Sequence, residues 1–133
     1  MVPRRGIAAF VLKLRLAREK AGADTIQDHV MADTRRALRL VRSRAAEWHL
    51  MADRLGFLGI SAGGELAAYA AMKHDAGQKD STDIELPARF QSLIYPGSSG
   101  RFTVEAGMPP VFIAAGINDH SDIAEGMASL YFK

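Results

Sequence analysis

The sequence contains no cysteine in 133 residues. That excludes disulfide bridges and thiolate metal sites, and it fits a reducing compartment. Charge of one sign is also scarce: 17 Lys and Arg stand against 15 Asp and Glu, a formal net charge of +2. A general nucleic-acid surface needs a stronger basic balance, so electrostatics give that class no support. Long apolar runs are missing too. The run Gly6 to Leu12 follows two arginines and loosely imitates a secretory leader. Lys13 and Arg15 come directly after it, no small-residue cleavage site closes it, and it is far too short to span a bilayer. The expected protein is soluble and cytoplasmic, with no membrane or nucleic-acid partner. No internal repeat, low-complexity tract, P-loop or dinucleotide fingerprint is present. Asp80, Asp83 and Glu85 lack the spacing and the turn glycine of a calcium loop. No metal and no cofactor are expected.

What is present is the material of one domain, 1–133, large enough for a single core. Four short apolar runs stand out: GIAAFVL (6–12), LGFLGI (55–60), FQSLIY (90–95) and VFIAAG (111–116). Most are apolar without strict alternation, as in parallel strands buried on both faces. Between the first two runs, Ile26, Val30, Ala37, Leu38, Val41, Ala45 and Trp48 recur at helical spacing. Arg35, Arg36, Arg39, Arg42 and Arg44 fall largely elsewhere, which predicts an amphipathic helix with a solvated basic face. Asp24 or Thr25 is its expected N-cap. A second helix is predicted from Ala62 and a third over SDIAEGMASLYFK, capped by Ser121. The alternation of strands and helices predicts an α/β layered fold of about four mostly parallel strands and three helices. The polar stretch 74–89 and the segment 96–110 read as long loops, and loops at the C-terminal ends of strands often shape sites.

The chemistry centres on Gly59-Ile60-Ser61-Ala62-Gly63, a G-x-S-x-G sequence between a predicted strand and a predicted helix. A serine on such a turn projects its hydroxyl from the sheet edge. The flanking glycines leave room for strand and helix to pack closely. The helix N-terminus favours a developing oxyanion, and the Ala62 N–H is one expected donor to it. The bland reading is a serine in a glycine-rich bend.

These residues, with their surroundings, resemble an α/β-hydrolase of the carboxylesterase and acetyl-xylan-esterase-like branch, related to dienelactone hydrolases. GIAAFVLKLRL resembles the family's fourth strand, DTRRALRLVRSRAAEW the helix leading to the elbow, and RLGFLGISAGGELAA the elbow itself. FQSLIYPG resembles the sixth strand, and MPPVFIAAGINDHSDIAEGMASLY the seventh strand with the acid segment. The resemblance implies that Asp119 is the catalytic acid, with Asp122 as the alternative. It also implies an incomplete fold, truncated at both ends. Relatives carry an upstream HGGG- or PGGG-like loop for the second oxyanion donor and a downstream loop bearing the catalytic histidine, and this sequence has neither.

Topology sorts the four histidines. His49 and His74 are expected at helix C-termini, at the edge of the sheet away from the site. His120 follows the last strand, beside Asp119, and is the first choice as base. His29, in the first turn of its helix, is the second, and a histidine from another subunit is the third. The expected function is a serine esterase for short-chain acyl esters, working through an acyl-enzyme on Ser61. The alternative is a catalytically inactive fragment kept as an oligomerisation or binding module. Exposed strand edges invite pairing, so a homo-oligomer is expected.

Overall fold

The structure, a computed structural model, describes residues 6–13, 26–72, 88–104 and 106–133. The expected cap at Asp24 or Thr25, His74, most of the 74–89 loop, and Asp80, Asp83 and Glu85 lie outside them. The elements are α1 (Ile26–Ser43), β1 (Phe57–Ile60), α2 (Ala62–Met72), β2 (Gln91–Ile94), a 3-10 turn (Ser99–Arg101), β3 (Val111–Ala114) and α3 (Ser121–Tyr131). They fall into two compact units, Met1–Ala52 and Asp53–Lys133. Among the described residues, no helix is long and apolar enough to cross a membrane.

In the first unit, α1 forms because its apolar side chains recur every three or four residues. Met31, Thr34 and Ala45 are buried, with Ala37, Leu38 and Val41 half-buried between them, while Arg36, Arg39 and Arg44 are exposed. From Ala37 onward the stripe is the expected one, with Met31 and Thr34 added; the side chains of Ile26 and Val30 lie outside the described residues. The helical path ends in a Schellman turn. The Leu50 N–H reaches the Ala45 carbonyl (2.8 Å) and the His49 N–H reaches Ala46 (3.2 Å). His49 occupies the left-handed position at φ 54°, where glycine is usual.

The run 6–12 does not form the expected strand: Ile7 to Lys13 carry no regular structure. A strand exists only where a neighbouring backbone takes up its N–H and C=O groups, and among the described residues this run has none. Side chains hold it instead. The Phe10 ring stacks on Trp48, centroids 5.3 Å apart, and the Arg44 guanidinium lies 5.8 Å from the same indole. An aromatic pair of this kind contributes about 1 kcal/mol beyond its buried area.

The second unit is a three-stranded parallel sheet in the order β1-β2-β3. Register places Phe57, Gln91 and Val111 in one row, and Ile60, Ile94 and Ala114 in the last. Side chains alternate between faces. Phe57, Leu93 and Ile113 share the face against which Ala67 and Ala68 of α2, Leu130 of α3 and Phe102 make the core. Phe102 is fully buried and meets Tyr69 edge to face at 5.6 Å. On α2 the buried residues are Gly64, Ala67, Ala68 and Ala71, a stripe of small side chains that lets the helix lie close to the sheet.

The expectation of strands buried on both faces holds for that face only. On the other, Leu58, Ile60 and Phe112 are 51–69% exposed. The reason is that α2 and α3 both contribute to the core on the first face. Among the described residues the elements are three parallel strands and three helices, an incomplete α/β fold with one strand fewer than expected.

α3 docks through the connection between β2 and β3. The Ser99 hydroxyl, fully buried, donates to the carbonyls of Asp122 and Ile123 (3.4 Å each). A side chain at Gly126 would overlap the Ser99 hydroxyl, so the turn and the helix approach as closely as backbones allow. Lys133 donates to the carbonyls of Gly100 (3.2 Å) and Phe102 (3.0 Å), fastening the other end of α3 to the same connection. Ser121 is not the N-cap of α3 but its first helical residue. His120 holds the cap position: its backbone is extended (φ −51°, ψ 142°), and its carbonyl already accepts from Ala124 (2.9 Å).

Candidate active site

Ser61 follows the last residue of β1 and precedes the first of α2. Its φ is 54°, a left-handed backbone that a side chain rarely adopts. Three bonds hold it there. The Ser61 N–H donates to the Ile94 carbonyl (2.9 Å), extending the ladder one residue past the strand. The Ser61 carbonyl accepts from Gly64 (2.8 Å) and Glu65 (3.1 Å), starting α2. The turn therefore reverses direction within one residue and leaves the serine at the C-terminal edge of the sheet. Strain of this size, about 1–2 kcal/mol, persists only where surrounding structure over-determines it.

The glycines of the motif do different work. A Cβ at Gly59 would overlap the Gly63 carbonyl oxygen and lie 2.6 Å from both Gly63 C and Gly64 Cα. A Cβ at Gly63 would meet nothing within 4 Å. Gly64, one residue further on, is the second tight position, at 3.0 Å from the Pro96 Cβ. Close packing at the elbow thus depends on Gly59 and Gly64, and the motif's second glycine is sterically free.

Ala62 opens α2, where helix geometry leaves the first N–H groups without intrahelical acceptors. Among the described residues its N–H makes no backbone hydrogen bond. It is placed beside Ser61 with the positive end of the helix behind it.

Asp119 and His120 follow β3, on the same edge of the sheet as Ser61. Two strand spacings separate β1 from β3, about 10 Å across the sheet. The structure brings the three residues to one edge, with no hydrogen bond between their side chains. The Asp119 carboxylate accepts the His120 backbone N–H (2.9 Å), while the Asp119 N–H donates to Gly116 (3.1 Å). The carboxylate thus closes the turn that leads into α3. Asp122 lies in the first turn of α3, as expected. His29 lies in the first turn of α1, and His49 ends the α1 path as described. Among the described residues, no group of three or more His, Asp or Glu is arranged to hold a metal ion.

Sequence reasoning missed the segment after β2. Tyr95 (φ 36°) and Ser98 (φ 51°) are both left-handed, and Pro96 between them is fully buried. No local signal announced it: a residue before proline is normally extended, whereas Tyr95 is left-handed.

A serine on a left-handed strand-to-helix turn, at the carboxyl edge of a parallel sheet, defines an α/β-hydrolase-type fold. A family model places the chain within that class. The BD-FAE family model matches residues 4–94, more than half of the chain, and the chain belongs to this α/β-hydrolase family. The match includes the elbow and ends at the last residue of β2, so β3 and the Asp119–His120 segment lie beyond it. No curated protein matches the sequence.

Three solved structures are similar in fold. One is an acetyl ester-xyloside bifunctional hydrolase from Caldicellulosiruptor lactoaceticus, with TM-score 0.66 and 24% identity over 77% of this chain and 49% of that one. A second is MGS-M1, an α/β hydrolase from a Medee basin deep-sea metagenome library, with TM-score 0.63 and 19% identity over 86% and 45%. A third is a sugar hydrolase, YeeB, from Lactococcus lactis, with TM-score 0.58 and 18% identity over 85% and 51%. The chain spans about half the length of each.

Proposed function

We propose that the chain carries the nucleophile of a serine esterase acting on small, short-chain acyl esters. The observation that carries this reading is the left-handed Ser61 between β1 and α2, held by its bond to Ile94 and by the unsubstituted approach at Gly59. In the proposed reaction the Ser61 hydroxyl oxygen attacks the ester carbonyl carbon, and a histidine takes the hydroxyl proton. The Ala62 N–H donates to the oxyanion of the tetrahedral intermediate. Collapse breaks the ester C–O bond, and the leaving alcohol takes the proton from the histidine. A water, deprotonated by the same base, then attacks the acyl-enzyme, releasing the carboxylic acid and restoring the serine. His120 is the proposed base and Asp119 the acid that steadies it, both supported by their place on the sheet edge that holds Ser61. The acetyl ester hydrolase among the structural neighbours supports the choice of small acyl groups.

One observation favours the alternative, an inactive binding module: the Asp119 carboxylate is engaged by the backbone of His120 rather than by its ring. A single experiment separates the two. The purified chain and Ser61→Ala are incubated with a fluorophosphonate probe and a short-chain chromogenic ester. Labelling and turnover that vanish in the variant are the expected result, and a wild-type chain that never labels sinks the esterase reading. Self-association and a cytoplasmic setting belong to the same proposal. The outer edge of β1, unpaired among the described residues, supports the first, and the lack of cysteine supports the second. A monodisperse monomer in light scattering would refute self-association.

A further inference from the structure

We infer that Tyr95 limits the size of the acyl group that fits beside Ser61. The inference rests on Ser61 being the nucleophile and goes on to name what sets the enzyme's specificity.

Register carries the argument first. Ile60, Ile94 and Ala114 end the three strands in one row. The ladder continues one step beyond them, through Ser61 N–H to Ile94 (2.9 Å) and Tyr95 N–H to Ala114 (2.7 Å). The next row is therefore Ser61, Tyr95, Ala115. Adjacent strands lie about 5 Å apart, so Tyr95 is the immediate lateral neighbour of the nucleophile. It is also the one large side chain of that row, flanked by a serine and an alanine.

Backbone strain is the second observation. Tyr95 has φ 36° although it is neither glycine nor asparagine, and it precedes a proline, which pushes its neighbour toward extended backbone. Two contacts enforce the conformation. The Tyr95 N–H is bonded to the Ala114 carbonyl (2.7 Å), and the fully buried Pro96 packs on Gly64 of α2. The loop is thus locked to the helix that Ser61 begins. Strain held in this way clusters at ligand sites.

The side chain itself is the third. Tyr95 is 38% exposed, and among the described residues its hydroxyl has no hydrogen-bond partner. A core tyrosine would be covered and bonded. Among the described residues Ser61 has one row neighbour, Tyr95 on the β2 side, so an acyl group that extends from Ser61 along that row meets the phenol.

The test uses the full chain and ester substrates of two acyl lengths, acetate and octanoate, with short- and long-alkyl fluorophosphonates as labelling probes. Tyr95→Gly removes the ring and accepts φ 36° without backbone strain. Tyr95→Asn, another residue tolerant of the left-handed region, is the second truncation. Both are expected to raise kcat/KM for octanoate relative to acetate by about tenfold or more, as expected for a pocket enlarged by several carbon atoms. Tyr95→Phe should keep the wild-type ratio. An unchanged ratio in both truncations, with Ser61 labelling intact, overturns the inference and leaves the esterase reading standing. Failure of both truncations to fold overturns it too, because Tyr95 would then be a structural residue. A wild-type chain that never labels removes the nucleophile, and the inference with it.

Discussion

Gly59→Ala and Gly63→Ala alter the two glycines of one motif, and the structure predicts opposite effects. At Gly59 the added methyl would overlap the Gly63 carbonyl and stand 2.6 Å from two backbone atoms of α2, where ordinary contact is 3.4–4 Å. The obstacle is backbone, so no side chain can swing aside. α2 must retreat from the sheet by about 1 Å, which on a dispersion potential forfeits a quarter to a half of each contact in the seam. The seam is made of Gly64, Ala67, Ala68 and Ala71, small residues that cannot follow the gap. Overpacking of this kind costs about 3 kcal/mol, the upper end of the usual range. At Gly63 the methyl enters open space. There the change exchanges a poor helix former for a good one near the start of α2, a gain of about 0.5 kcal/mol.

In a domain of this size 1 kcal/mol moves Tm by about 4 °C, so the variants should differ by about 14 °C. Thermal and urea unfolding followed by far-UV circular dichroism measure both. Since total stability is about 5–15 kcal/mol, the Gly59→Ala loss is well outside error. A Gly59→Ala protein within 1 kcal/mol of wild type refutes the packing argument. So does a Gly63→Ala protein that loses as much as Gly59→Ala.

Two further substitutions test strain and burial away from the elbow. His49→Gly relieves a left-handed backbone worth about 1–2 kcal/mol and gives back about 0.5–1 kcal/mol in unfolded-state entropy, so Tm should rise by a few degrees. A fall in Tm shows that His49 contributes through its side chain instead. Gln91 is buried on the core face of β2, and among the described residues its side-chain oxygen has no hydrogen-bond partner. Gln91→Met keeps the shape and removes the stranded acceptor, with an expected gain of about 1 kcal/mol in urea unfolding; destabilisation refutes the reading.

Several features were legible in the chain alone because they rest on local chemistry. The apolar runs at 55–60, 90–95 and 111–116 became strands, each trimmed by a residue or two. α2 starts at Ala62, α1 half-buries Ala37, Leu38 and Val41, and the turn after it buries Ala45, as periodicity dictates. The elbow was legible because a serine between spaced glycines, after an apolar run and before a helical one, has few other uses. The run at 6–12 has the composition of a strand and is not one, because pairing requires a second backbone that composition cannot supply. Ser121 has the chemistry of a cap, yet the chain's path from Asp119 put His120 in that place.

The amino-acid order by itself determined the class of fold and where the strand-to-helix turn at Ser61 falls. Periodicity and turn residues act within a few positions of one another, and both were written there. Tertiary structure decided which glycine is indispensable. Clearance at Gly59 depends on where α2 comes to lie, and the freedom of Gly63 depends on the same placement. It also decided that Tyr95 stands next to Ser61. The two are 34 positions apart in sequence and become neighbours through the register of β1 on β2 alone. Strand register is a long-range property, set when Leu93 and Phe102 close the core beneath α2, and no local pattern encodes it.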